Sequence, residues 1–286
     1  MNFVKMHGLG NDFIVLDCTK QDMAISSESY HTLAKNLCDR HFGIGADGIL
    51  LVLPSEQADI CMRIINSDGS EAEMCGNGIR CFARYVYEAG IVQKDVITVE
   101  TLAGIIIPRL ILDDAGNIVS VAVDMGKPVL EKEQIPMVGQ GRAVNQSIEI
   151  EDQTFQITAV SMGNPHCVVF VDDAENFPIA YWGPRIERSW YFPRKTNVEF
   201  VQVLNDKEVI MRVWERGAAV TLACGTGACA TTVACILNGK TGNDVLLHLD
   251  GGDLQVRWDG EDQHVFMTGP AEEVFRGQIE LEAGRK

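Results

Sequence analysis

The chain has 286 residues, enough for two domains at about 150 each, and is 46% apolar and 22% charged, the balance of an ordinary soluble globular protein. Twenty-four Lys+Arg against 40 Asp+Glu leave a formal charge of −16, a field that repels phosphate backbones and anionic lipid and so excludes nucleic-acid and membrane-surface binders. No apolar stretch approaches the ~20 residues of a spanning helix, and Met1–Asp12 has no apolar run of the kind a signal peptide needs.

In chain order, the first strand expected is Phe13–Asp17. A helix follows, capped by Ser26 or Ser27, with Tyr30, Leu33, Ala34, Leu37 and Cys38 at helical spacing and Gly43 to end it. Strands Gly48–Leu53 and Ile60–Ile65 lead to a second helix, Asn77–Tyr87, on which Arg80 and Arg84 form a polar edge. Then come strands Val96–Thr101, Ile118–Asp124, Phe155–Ser161, Cys167–Val171, Val198–Val203 and Glu208–Trp214. The third helix, Thr226–Leu237, carries no charge and must be buried on every face. Strands Leu246–Leu249, Leu254–Trp258 and Val265–Thr268 close the series. Many strands and two enclosed helices predict two sheets, each curved around one central helix.

The halves echo each other. Met74-Cys75-Gly76-Asn77-Gly78 opens the second helix and Ala223-Cys224-Gly225-Thr226-Gly227 the third; at the same offset of 149, Asn66 matches Glu215. Gly10-Asn11 and Gly163-Asn164 each precede an early strand. Two matches in one order indicate a duplicated unit. A site shared between the units would then draw one cysteine from each.

There are nine cysteines, none in a C-x-x-C pair, which argues against a zinc ribbon or a redox dithiol and suits a reducing, cytoplasmic setting. Cys18, Cys38, Cys61, Cys81, Cys229 and Cys235 read as packing residues. Cys75 and Cys224 differ. Each stands just before a helix, where unpaired N–H groups and the dipole favour a thiolate, and each is followed by glycine, which lets backbone approach a ligand. Such a pair on opposite faces of one carbon could take a proton from one side and deliver one to the other.

The segments KMHGLGNDF (residues 5–13), RHFGIGADG (40–48), NSDGSEAEMCGNGIRC (66–81), MGNPH (162–166), WERG (214–217), ACGTGA (223–228) and MTGPA (267–271) together resemble the diaminopimelate epimerase family. The resemblance implies an α+β fold of two pseudo-symmetric domains, 1–117 and 118–269, each a mostly antiparallel barrel around a central helix, with the tail 270–286 returning to the first. It implies cofactor-independent interconversion of LL- and meso-2,6-diaminopimelate, on the lysine and peptidoglycan route, with no metal. Cys75 and Cys224 would be the acid/base pair, and Gly76-Asn77 and Gly225-Thr226 would offer helix-start amides to the substrate carboxylate. Asn11, Asn66, Asn164, Asn197 and Arg216 match substrate contacts, Glu215 would receive the ammonium, and Glu215 and His166 resemble residues that tune the thiols. Phe275 stands where a tyrosine is common at a homodimer contact, and Ala219 and Val220 replace a glycine and a polar residue.

Rival readings remain at this level. Asn238-Gly239-Lys240-Thr241 mimics the end of a phosphate loop but has Ala234 where its first glycine belongs, so it reads as a helix stop. A proline racemase relative would also use two cysteines, and a thiol redox or metal-binding protein would need no substrate. Pyridoxal phosphate would require a Schiff-base lysine that the thiol scheme does not use.

Overall fold

A computed structural model describes residues 1–19 and 27–280; Ser26, one of the two expected caps, lies outside them. The elements run β1 (Asn2–Gly8), β2 (Asn11–Asp17), α1 (Ser27–Cys38), β3 (Gly48–Leu53), β4 (Ile60–Asn66), β5 (Glu71–Ala72), α2 (Gly76–Glu88), β6 (Val99–Thr101), β7 (Gly104–Ile106), β8 (Arg109–Leu112) and β9 (Ile118–Asp124). They continue with β10 (Gln146–Ile150), β11 (Gln153–Ser161), β12 (Pro165–Phe170), α3 (Ile179–Glu187), β13 (Asn197–Val203), β14 (Glu208–Glu215), β15 (Ala219–Thr221), α4 (Gly225–Leu237), β16 (Asp244–Leu249), β17 (Gly252–Trp258), β18 (Val265–Gly269) and β19 (Glu272–Gln278). Two compact units result, Met1–Val123 with the segment from Gly269, and Asp124–Thr268.

Each unit repeats one plan. The first has strand order β19-β1-β2-β3-β4-β6-β7 with β5 on β4; the second, a larger sheet of 11 strands, contains the matching run β10-β11-β12-β13-β14-β16-β17 with β15 on β14 and continues beyond β17 with β18. Parallel pairing occurs at matching places, β2 with β3 and β4 with β6, then β12 with β13 and β14 with β16. A parallel pair needs a crossover, and each is spanned by a helix: α1 and α2 in one unit, α3 and α4 in the other. The duplication is therefore one of topology as well as of motif.

The central helices are enclosed as their composition dictates. Gly227 through Cys235 of α4 are buried, and the helix packs on β11, β12, β13, β14, β16 and β17. Its small residues let the strands close in, so that the Thr231 hydroxyl reaches Met211 Sδ of β14 at 3.2 Å, while Val198 and Phe200, on the other face of β13, join Ile186 and Phe192 in the core beside α3.

Three expectations change. Arg80 is not on a polar edge of α2: it is fully buried, donating to the carbonyls of Pro270 and Gly76 and to Asn77 Oδ1, while Arg84 donates to the carbonyl of Ala271. Together they fasten the returning tail to α2. A fourth helix, α3, was hidden by Gly183 and Pro184, which read as breakers. Gly183 is required there, because a Cβ would lie 2.5 Å from Trp214 Cγ. Strand β1 was hidden by Lys5, whose ammonium is buried against Asp12 at 2.6 Å and the Gly45 carbonyl.

Candidate active site

In the first unit Cys75 is the N-cap of α2, extended at φ −143°, and its sulfur accepts from the Gly78 amide at 3.4 Å. The thiol donates to Asn11 Oδ1 at 3.7 Å, and Asn77 Nδ2 donates to the same oxygen at 3.1 Å. What turns that oxygen toward the cysteine is Asp47, which takes Asn11 Nδ2 at 2.7 Å. Asp47 is held in turn by Arg40 at 2.8 Å, and Arg40 also grips Asp12 at 2.7 Å. Burial pushes the Asp12 carboxyl up, but the bonds from Arg40 and Lys5 outweigh it and leave its pKa at about 2. Asn66, at the end of β4, donates to Ser70 Oγ at 3.0 Å. The motif residues Lys5, Asp12, Arg40 and Asp47, to which sequence reasoning gave no role, are thus the support of Asn11. The buried Arg80 supports Asn77 likewise, at 3.0 Å.

In the second unit Cys224 is the N-cap of α4, with φ −130°. Its sulfur lies 3.6 Å from Thr226 Oγ1, which accepts from Asn164 Nδ2 at 3.2 Å. Asn164 Oδ1 is 2.9 Å from His166 Nε2, and His166 Nδ1 is 2.6 Å from Glu199 Oε1. Asn197 donates to the Pro165 carbonyl at 3.0 Å and accepts the Arg216 amide at 2.8 Å, which ties the β14–β15 turn to β13. Arg216 reaches the Arg194 carbonyl at 3.3 Å. Glu215 accepts from the Thr221 hydroxyl; burial pushes its carboxyl up, and bonds from Thr221 and Cys224 take back part of the rise.

The expectation that both helix starts favour a thiolate needs amending at Cys224. Burial first, and Glu215 second, push this thiol well above its ordinary value, so it holds its proton at neutral pH. Burial also raises Cys18 to about 11 and Cys38, Cys81 and Cys235 to about 12, as suits cysteines that only pack. Ala219, in place of the usual glycine, sits at φ +64° in the left-handed region.

The arrangement of two sheet-rich units with a cysteine at each central helix start defines the class first. The fold is that of the Bacillus anthracis phenazine biosynthesis protein of the PhzF family, with a TM-score of 0.72 and 16% identity over 98% of this chain and 99% of that one. A hydroxyproline epimerase from Agrobacterium vitis is also similar, with a TM-score of 0.67 and 17% identity over 98% and 90%. At such identities the likeness concerns the fold alone. The particular family follows from sequence: the diaminopimelate epimerase model matches residues 3–131 and 158–274. The diaminopimelate epimerase of Heliobacterium modesticaldum is 58% identical over 98% of this chain and 100% of that protein. This chain belongs to the diaminopimelate epimerase family.

Proposed function

We propose that the chain inverts one α-carbon of 2,6-diaminopimelate, interconverting the LL and meso isomers without a cofactor, through one thiol and one thiolate. The observation that carries this reading is the repeated placement of Cys75 and Cys224 as N-caps of the two central helices, within the family match. The thiolate removes the α-proton from one face and the opposite thiol delivers a proton to the other; their roles exchange in the reverse direction. Negative charge builds on the substrate carboxylate during deprotonation, and the helix-start amides at Gly76-Asn77 and Gly225-Thr226 are donors of the kind that stabilise it. Asn11, Asn66, Asn164, Asn197 and Arg216 bind the remaining polar groups, Glu215 receives the ammonium, and His166 with Glu215 tunes Cys224.

Proton NMR of LL-diaminopimelate with the protein in D2O tests the reading. Loss of the α-proton signal with growth of the meso isomer is expected, and an unchanged spectrum would remove it. Turnover of proline instead would favour a racemase of the same fold.

The protein acts in the cytoplasm as a homodimer, in this proposal; no helix among the described residues is long and apolar enough to cross a membrane. Phe275, 45% exposed on β19 and packed edge-on against Phe3, is assigned to the contact. Phe275→Ala should weaken association in light scattering, and a wild-type monomer at micromolar concentration would overturn the assignment.

A further inference from the structure

His166 and Glu199 are both wholly buried, and Glu199 Oε2 has no hydrogen-bond partner. Sequence reasoning gave Glu199 no role, since it sits mid-strand in β13 among Val198 and Phe200. The fold does not require a polar pair here. In the first unit Phe13 pairs with Gly48 as His166 pairs with Asn197, so Phe13 and Leu50 stand where the second unit has His166 and Glu199. The glycines of the two helix starts abut these positions, Gly78 both Leu50 and Phe13 and Gly227 the matching Glu199. A Cβ on Gly78 would touch Leu50 at 3.3 Å and Phe13 at 3.6 Å, whereas one on Gly227 would lie 2.8 Å from Glu199 Oε1.

We infer that Glu199 is a positioning residue that orients the chain His166–Asn164–Thr226 so that the Thr226 hydroxyl donates to Cys224 Sγ. The inference rests on the thiol chemistry proposed above. An ionised carboxylate with one oxygen unbonded, deep in the protein beside a neutral imidazole, is costly. The cost falls when one proton is held between Glu199 Oε1 and His166 Nδ1, at 2.6 Å, and a second sits on Nε2. Nε2 then donates to Asn164 Oδ1, which leaves Asn164 Nδ2 to donate to Thr226 Oγ1. The Thr226 oxygen is thereby occupied as an acceptor from Asn164, and its own hydrogen is free for the sulfur 3.6 Å away. A donor on sulfur favours the thiolate over the thiol and so makes Cys224 available as a base. The other titratable groups around it are Glu215, which bonds the thiol, and Cys167, which lies beside Glu199.

The test is the pH dependence of iodoacetamide labelling, followed separately at Cys224 and Cys75 by peptide mass spectrometry on the intact protein without substrate. Cys224 is 5% exposed, so the midpoint of the rate against pH is the readout and not the rate itself. Glu199→Leu should move the Cys224 midpoint up by about one pH unit, the scale of a lost hydrogen bond to a charged group, and leave Cys75 in place. Glu199→Gln can donate to Nδ1, keep the hydrogen on Nε2, and restore most of the wild-type midpoint. If Glu199→Leu does not fold, His166→Phe with Glu199→Leu copies the apolar pair of the first unit and should give the same upward shift. A downward shift would mean that Glu199 acts as a bare negative charge, and no shift would mean that it only packs; either overturns the proposal. Retained epimerisation by Cys224→Ala would instead overturn the thiol reading, while the labelling midpoints would still decide the role of Glu199.

Discussion

The two helix starts share a backbone plan and differ in what stands behind the cysteine. At Cys75 the near wall is Phe13 and Leu50, and polar support comes from the more open side, through Asn11, Asp47 and the Arg40–Asp12–Lys5 ion cluster. At Cys224 the wall itself is polar, with His166 and Glu199 fully buried and joined to the thiol through Asn164 and Thr226. Duplication gave both units a place for a thiol at a helix start. The difference lies in how each asparagine amide is held: by one partly exposed carboxylate in the first unit, by a buried acid–imidazole pair in the second. The two cysteines thus stand in two different electrostatic settings on one backbone plan.

Removing either thiol should break the comparison most severely. Cys75→Ala and Cys224→Ala should each lower the inversion rate by about 10³-fold or more, within the usual range for a lost general acid or base. Epimerisation followed by circular dichroism or by a coupled assay for the meso isomer measures this.

Next in size is the support of Asn11. In Asp47→Asn the new amide can donate to Asn11 Oδ1 and turn it away from Cys75 and Asn77. A charge-assisted bond of ~1.5–3 kcal/mol is at stake, so kcat/KM should fall about ten- to a hundredfold, with no change in the Cys224 labelling midpoint. Equal changes at both cysteines would show that the two supports are not separate.

The ion cluster behind Asn11 should show in stability. Asp12 is depressed from 3.8 to about 2 and its side chain is 15% exposed, so its ionisation contributes about 2 kcal/mol in this nearly enclosed setting. That contribution is complete above the unfolded value near 3.8 and is lost as pH falls through about 2. Asp12→Asn should therefore be less stable by about 2 kcal/mol in urea at pH 7, and the gap should close as pH falls toward 2.

The smallest effect belongs to Ala219. Its φ of +64° costs an L-residue roughly 1–2 kcal/mol, partly offset by the extra freedom a glycine has when unfolded. Ala219→Gly should gain about 0.5–1 kcal/mol in thermal unfolding with the fold unchanged. A loss of stability would mean that the turn between Glu215 and Ala219 is not strained.

The cysteines and their helices were legible because a thiol followed by Gly-x-Gly at the start of an uncharged helix is a local signal. The repeat was legible because those signals recur at a fixed offset. Arg80 was misread because a charged residue on a helix is ordinarily on its solvent face, and only the returning tail supplies the carbonyl of Pro270 that lets it be buried. Glu199 carried no signal: an acid between Val198 and Phe200 looks like an ordinary alternating strand, and its partner is 33 residues away. Strand β19, with Glu272, Glu273 and Arg276, lacks the apolar alternation of a strand and is held by pairing with β1. Long-range polar pairs thus escaped a reading built on local period and motif.

The central claim, one thiol for each face of the α-carbon, is tested most directly by α-deuterium incorporation into LL- and meso-diaminopimelate in D2O by Cys75→Ala and Cys224→Ala. Each variant keeps one thiol and the helix-start amides, so some exchange should survive without inversion, and the two should prefer opposite stereoisomers. Near wild-type epimerisation in either variant, or the same stereochemical preference in both, would contradict the account.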